Sequence, residues 1–355
     1  MTQQTPASRG RVCTLRRQHL KTALAASAVC GFPALLRAQP SFTLKVSHFV
    51  APTHRLQSDF LLPWARDIET RTQGAVAIQI SAANSSLGQA QNQLDQCLNG
   101  IVDVAFGLCG LPRGRMPRSM LIELPFMVGS AETGARTLWS LYPRLLGDDY
   151  AGIKPLLLMT HNAGGLHTRK RVERPEDLRG LRIRTPSPTV SLMLSALGAV
   201  PVGMPPTLAY ENMHKGVIDG AAFPWDSVSS FRIDEVARFH CDARFYTAAF
   251  WFGINRRRFD SLPSDLRAAI EAASGEALLP RVQGWWDAWD DAGRAAAKAH
   301  GNTVIVPDDA LQTAWKRALA PVLDTALVEF QGEGVANARE IHAAMLREIA
   351  RHPKG

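Results

Sequence analysis

Residues 177–226 read DLRGLRIRTPSPTVSLMLSALGAVPVGMPPTLAYENMHKGVIDGAAFPWD, and their punctuation decides the fold. A short helix stops at Gly180 and a strand follows that carries Arg182 and Arg184. A second helix stops at Gly198, a strand runs over Val200–Met204, and a third helix stops at Gly216. Ile218-Asp219-Gly220 then turns into a last strand that breaks at Pro224. Glycine just past a helix and proline at a strand end are the expected stops. Alternation sends Leu181, Ile183 and Thr185 one way and the two arginines the other. An arginine ending a short strand, beside a proline-rich turn, suits the forked holding of a carboxylate.

Working outward, the same alternation of strand and helix recurs. A strand over Leu44–Phe49 precedes a helix over Leu56–Thr72, whose Leu56, Phe60, Trp64 and Ile68 share one face. Val76–Ile80 is the next strand, Gln89–Asn99 a helix, and Ile101–Phe106 a strand again. This order predicts a mostly parallel sheet covered by helices, with ligands beyond the carboxyl ends of its strands, near Phe49, Leu108 and Cys109. Ser130 caps a helix reaching Leu146, and Lys154–Thr160 is a further strand leading to His161-Asn162-Ala163-Gly164-Gly165. Strand signals return over Val236–His240 and Phe245–Asn255. A long helical pattern runs from Pro263 to Ala299, with a kink or break at Gly275 and Pro280. Trp285, Trp286 and Trp289 fall at helical spacing and read as core. Thr303–Val306 is a short strand, and Glu333–Pro353 reads as a peripheral helix and tail.

Three pieces of sequence carry a family resemblance: DLRGLRIR, LGAVPV and AYENMHKGVIDG, all inside residues 177–226. The chain resembles the periplasmic solute-binding proteins of TRAP transporters, the DctP-type family, from about Leu44 to the C-terminus. The resemblance implies an α/β fold of two lobes with mixed sheets, hinge-crossing strands and a long helix spanning both lobes. It divides the chain into an export signal over 1–38, lobe one over 39–163 plus about 253–290, and lobe two over 164–252 plus about 291–355. It also implies a periplasmic location, a small organic acid as ligand, and a pair of membrane permease subunits as partner.

Composition agrees with a globular binder. The 355 residues are 46% hydrophobic and 20% charged, with a net charge of +8. Residues 1–38 hold six basic residues (Arg9, Arg11, Arg16, Arg17, Lys21, Arg37) and no acid, which leaves 34 basic against 32 acidic residues beyond them. The basic excess therefore belongs to the leader, and a nucleic-acid partner loses its support. Arg16-Arg17 ahead of a short apolar run resembles a twin-arginine export signal cleaved after Ala38. The run is too short for a membrane span, so the mature chain is expected outside the bilayer. Cys97, Cys109 and Cys241 remain in the mature chain, without CxxC spacing, and read as buried thiols. HExxH, GxSxG and GxxxxGK[ST] are all missing from the sequence, and no metal or other cofactor is expected.

At the ligand, the resemblance gives Arg184 the carboxylate. Arg182 is left near solvent or an acid such as Asp177, and the structural alternative for Arg184 is a bridge to Asp219 or Glu211. Where some relatives carry polar contacts, this chain has Phe49, Leu108, Phe223 and the pair Gly164-Gly165. Trp225 is expected across the ligand, and His167 or Asn162 near its 2-oxygen. Each swap adds apolar surface, which points to a monocarboxylate with an apolar or aromatic body. A C4-dicarboxylate is the alternative, and an exported enzyme using His48 or His167 as base is the rival from another class.

Overall fold

The computed structural model describes residues 40–352; the signal reading of residues 1–38 lies outside the described residues. The strands are β1 (Phe42–His48), β2 (Val76–Ser81), β3 (Val104–Leu108), β4 (Ile153–Thr160), β5 (Gly164–Thr168) and β6 (Arg182–Thr185). They continue with β7 (Val200–Gly203), β8 (Gly220–Phe223), β9 (Phe239–Tyr246), β10 (Ala249–Asn255) and β11 (Thr303–Ile305). They form two sheets, ordered β2-β1-β3-β10-β4 and β11-β9-β5-β8-β6-β7. β1 pairs in parallel with β2 and β3, as the opening alternation predicts, while β10 inserts antiparallel between β3 and β4. In the second sheet β6 is parallel to β7 and β8, and β5 is antiparallel to β8 and β9.

Two strand-to-strand connections carry the chain between the sheets. His161–Ala163 joins β4 to β5, and Thr247–Ala248 joins β9 to β10. The second crossing comes earlier than expected, so Ala249–Phe252 pairs within sheet one and Tyr246 closes sheet two. The preceding strand also begins later, because Ile233–Val236 is a turn of helix. β3 likewise starts at Val104, after a loop through Ile101. Such shifts are ordinary, since a short apolar run does not mark its own ends.

The long helical pattern resolves into Ser264–Ala272, a turn at Gly275–Ala277 and a 21-residue helix Leu279–Ala299, with Pro280 in its first turn. The break sits where Gly275 takes φ +61°, and proline suits the new start because its missing N–H has no partner there. The long helix packs against Ala131–Leu141 on the side of sheet one and Asp226–Ser230 on the side of sheet two. It forms the common back of the molecule.

The chain after residue 291 does not stay with sheet two. Ala326, Phe330, Ile341 and Met345 are buried with Leu138 and Trp251 in a core beside sheet one. The C-terminal helix Ala338–Arg351 lies on Ala131–Leu141 and is far from peripheral. An amphipathic pattern says that a face is buried but not what buries it. Cys97, Cys109 and Cys241 are buried free thiols, as read.

One close approach fixes the long helix in place. A Cβ at Gly293 would lie 1.7 Å from the carbonyl oxygen of Trp225, so only glycine lets this helix meet the start of Asp226–Ser230. Gly293→Ala is expected to cost about 1–3 kcal/mol through enforced overpacking. Thermal or urea unfolding checks it, and an unchanged midpoint would contradict the packing described.

Candidate functional site

β6 carries Arg184 to the carboxyl end of sheet two, registered between Val202 of β7 and Ala221 of β8. Its side chain is 2% exposed. Nε donates to Met204 O at 3.1 Å and Nη1 to Ala222 O at 3.1 Å. The guanidinium lies 4.2 Å from the centre of the Phe223 ring. Among the described residues no carboxylate pairs with it, and Nη2 has no protein acceptor. The two acids that might have neutralised it are otherwise engaged. Asp219 holds Arg182 through two 2.9 Å bonds, and Glu211 pairs with Lys215. Asp177, expected near Arg182, instead accepts the backbone N–H groups of Glu173 and Arg174. Burial pulls the Arg184 pKa down to about 10, which still leaves it cationic at neutral pH.

A cavity opens in front of this charge, with about 510 Å³ not filled by protein atoms, part of it continuous with solvent. Phe49 and Leu108 line it from the ends of β1 and β3, and Phe223 from the end of β8, as the sequence predicts. Phe49, Phe106, Phe250 and Trp286 form a row of stacked rings, with successive centroids 5.8, 5.4 and 5.8 Å apart. Phe223 stacks on Phe231 across from them at 5.7 Å. The walls are aromatic on both sides.

Trp225 and His167 lie outside this lining. Trp225 packs between the Arg294 guanidinium, 4.4 Å from its ring, and the imidazoles of His167 and His240. Its job is to seat the long helix on sheet two. His167 Nε2 faces the Phe223 carbonyl at 3.1 Å, so it carries the proton there, and its Nδ1 accepts from His240 Nδ1 at 2.7 Å. Both imidazoles are kept neutral by burial, His167 with a pKa lowered to about 4 and His240 to about 3. Asn162 also turns away, bonding Asp287, Asp290, Gln283 and the Ala131 N–H. It braces the first crossing against the long helix. His48 is buried against Gln57, outside the cavity.

Several lining residues escape the sequence reading. Tyr246, at the second crossing, is buried with its hydroxyl unpartnered, and it is near enough to Arg184 to feel its charge. Burial raises its pKa well above the usual phenol range, so it stays a donor. Its ring fills the space beside Gly164, where a Cβ would sit 2.7 Å away. Glycine at this position thus makes room for a tyrosine. His161 lines the cavity from the first crossing; its Nδ1 donates to the Asn162 carbonyl, and its Nε2 accepts from Ala248 N–H at 2.9 Å. Each of these residues sits beside a crossing, and an aromatic side chain at a strand end was the available signal. His54 and Asp226 complete the wall as a buried pair, 3.1 Å apart.

With this geometry in view, residues 46–329 match the family of bacterial extracellular solute-binding proteins, family 7. The chain belongs to that family. Its fold is that of the TRAP solute-binding proteins: it is 33% identical to one from Rhodoferax ferrireducens T118 in complex with copurified benzoate, over 87% of this chain and 98% of that one, with a TM-score of 0.83. A marine metagenome member specific for aromatic acid ligands, in complex with metahydroxyphenylacetate, is 27% identical over 88% of this chain and all of that one, with a TM-score of 0.84. Among curated relatives, the C4-dicarboxylate-binding periplasmic protein DctP of Rhodobacter capsulatus is 25% identical over 88% of this chain and 94% of its own length. Family and fold are thus those of binders, and no described helix is long and apolar enough to cross a membrane.

A buried acid also ties the site together. Glu123 accepts the Ala249 N–H at the second crossing and the hydroxyl of Ser187, which caps the helix Pro188–Ala196. Burial raises its pKa from 4.5 to about 7. Between those values the folded chain binds the proton that the unfolded chain has lost, so Glu123's contribution to stability falls as pH rises. Glu123→Gln should therefore gain on the wild type by up to about 3 kcal/mol between pH 4.5 and 8. Urea unfolding of both proteins measures this, and a pH-independent difference would contradict the buried carboxyl.

Proposed function

We propose that this protein is an exported, periplasmic receptor that captures a monocarboxylate with an aromatic body and delivers it to a TRAP-type membrane permease pair. The observation that carries the reading is Arg184, a buried cation that no carboxylate among the described residues pairs with, facing a cavity walled by aromatic rings. A charge held this way is costly unless something pairs with it. A carboxylate accepting from Nη2, with the Tyr246 hydroxyl beside it, supplies the partner. Burial of an aryl group against Phe49, Phe106, Leu108, Phe223 and Phe250 supplies the rest. The solved relatives with benzoate and metahydroxyphenylacetate support the same ligand class.

The C4-dicarboxylate reading has the Rhodobacter relative behind it. Against it, Arg184 is the one Lys or Arg in the cavity lining among the described residues, so a second carboxylate finds no second such cation there. Closure is read as bending at His161–Ala163 and Thr247–Ala248, which brings the walls carried by the two sheets onto the ligand. The permease would then meet the closed form. The enzyme alternative finds no support in its two proposed bases, since neither His48 nor His167 is among the residues lining the cavity.

Calorimetry and thermal shift test this directly. Benzoate-like and arylacetic acids are expected to raise the melting temperature, and succinate is not, because a ligand of the native state alone stabilises it. Arg184→Ala and Arg184→Lys should each bind roughly 10- to 100-fold more weakly while folding normally, as the charged hydrogen bond from Nη2 is lost or an ammonium cannot reproduce its geometry. Near-native affinity in either variant, or stabilisation by succinate alone, would overturn the reading.

A further inference from the structure

The cavity has a second polar pole whose sign is opposite to that of Arg184. His54 Nδ1 accepts the Leu56 N–H at 3.0 Å, which places the imidazole proton on Nε2, facing Asp226 Oδ2 at 3.1 Å. Ser227 Oγ donates to Asp226 Oδ1 at 3.1 Å. A carboxylate offers about four lone-pair sites, so two are committed and about two remain. His54, Asp226 and Ser227 all line the cavity. Among the described residues no Lys or Arg pairs with Asp226, so its spare capacity is not consumed by a cation. His54 is itself locked from behind, edge-on to the Trp289 ring at 6.0 Å, and the Asp226 backbone N–H is anchored to Asp290 at 2.9 Å. The acceptor is therefore held from two directions, by the His54 imidazole on its carboxylate and by Asp290 on its backbone.

We infer that Asp226, oriented by His54, is the specificity residue of the cavity: it selects aromatic acids that carry a hydrogen-bond donor, a hydroxyl or amino group, on the ring, and it rejects a second carboxylate. This rests on the proposed carboxylate role of Arg184. The logic is one of unpaired groups. An unsubstituted ring set against Asp226 desolvates a carboxylate without giving it a partner, whereas a ring hydroxyl supplies a charge-assisted bond. A second carboxylate placed there meets like charge.

The test is titration calorimetry of the full mature chain with benzoate, 3-hydroxybenzoate, 4-hydroxybenzoate and isophthalate, for the wild type and for Asp226→Asn. The wild type should bind at least one hydroxybenzoate roughly 10- to 100-fold tighter than benzoate, with isophthalate weakest. In Asp226→Asn, where an amide donor replaces one acceptor oxygen, the ratio of hydroxybenzoate to benzoate affinity should collapse toward one and isophthalate should gain. Equal binding of benzoate and both hydroxybenzoates by the wild type overturns the inference while leaving the aromatic-acid reading intact, and it needs no variant to fold. Retention of the hydroxyl preference by Asp226→Asn overturns it as well. Failure of every aromatic acid to bind the wild type overturns the aromatic-acid reading and this inference together.

Discussion

The site depends on an arginine that folding buries without neutralising. Removing a guanidinium from water is expensive, and the chain meets part of that cost locally, with two backbone carbonyls and the face of Phe223. Among the described residues it pairs no acid with the guanidinium. Asp219, the acid nearest in the strand register, is spent on Arg182 at the exposed end of β6, and that division of labour keeps Arg184 available. Every other feature of the cavity makes sense around that retained charge: aromatic walls that exclude water and strengthen its field, and a buried phenol beside it that stays a donor.

The architecture explains how such a cavity can also admit its ligand. Both sheets present their carboxyl-end loops to the same space, and the two short crossings that join the sheets contribute lining residues of their own, His161 and Tyr246. Two residues of the cavity wall thus sit at the segments that join the sheets. Behind them the long helix Leu279–Ala299 contacts elements of both sheets, with Gly293 permitting its tight seat on Trp225 and Asn162 fastening it to the first crossing. Asn162, Trp225 and His167 look like ligand groups in sequence because they flank the cavity. In space Asn162 and Trp225 pack against the long helix, and His167 packs on Trp225.

Much of this was legible in the chain itself. The glycine stops at 180, 198 and 216 and the alternation around Ile183 place Arg184 at a strand end, because local backbone rules decide those features. Phe49 and Leu108 follow from the rule that ligands gather at strand carboxyl ends, which also points to Cys109, a residue that does not line the cavity; Phe223 comes from the family resemblance. Tyr246 and His161 left only a faint trace, an aromatic side chain at a strand end, and the His54–Asp226 pair left none because its contact is more distant in sequence than any local pattern encodes. His54 and Asp226 are 172 residues apart. The choice of Trp225 over Asp226 shows the same limit at a single step, since one turn after Pro224 decides which neighbour faces the cavity. The C-terminal helices were misassigned because amphipathicity does not name the partner surface.

The most direct measurement is a crystal structure of the mature protein with whatever acid it retains through purification, or with benzoate added. The account predicts a carboxylate whose oxygens lie within hydrogen-bond distance of Arg184 Nη2 and the Tyr246 hydroxyl, with the ring between the Phe49–Phe106–Phe250 row and Phe223. A ligand bound through another residue, with Arg184 left unpaired or turned to a protein acid, would contradict it.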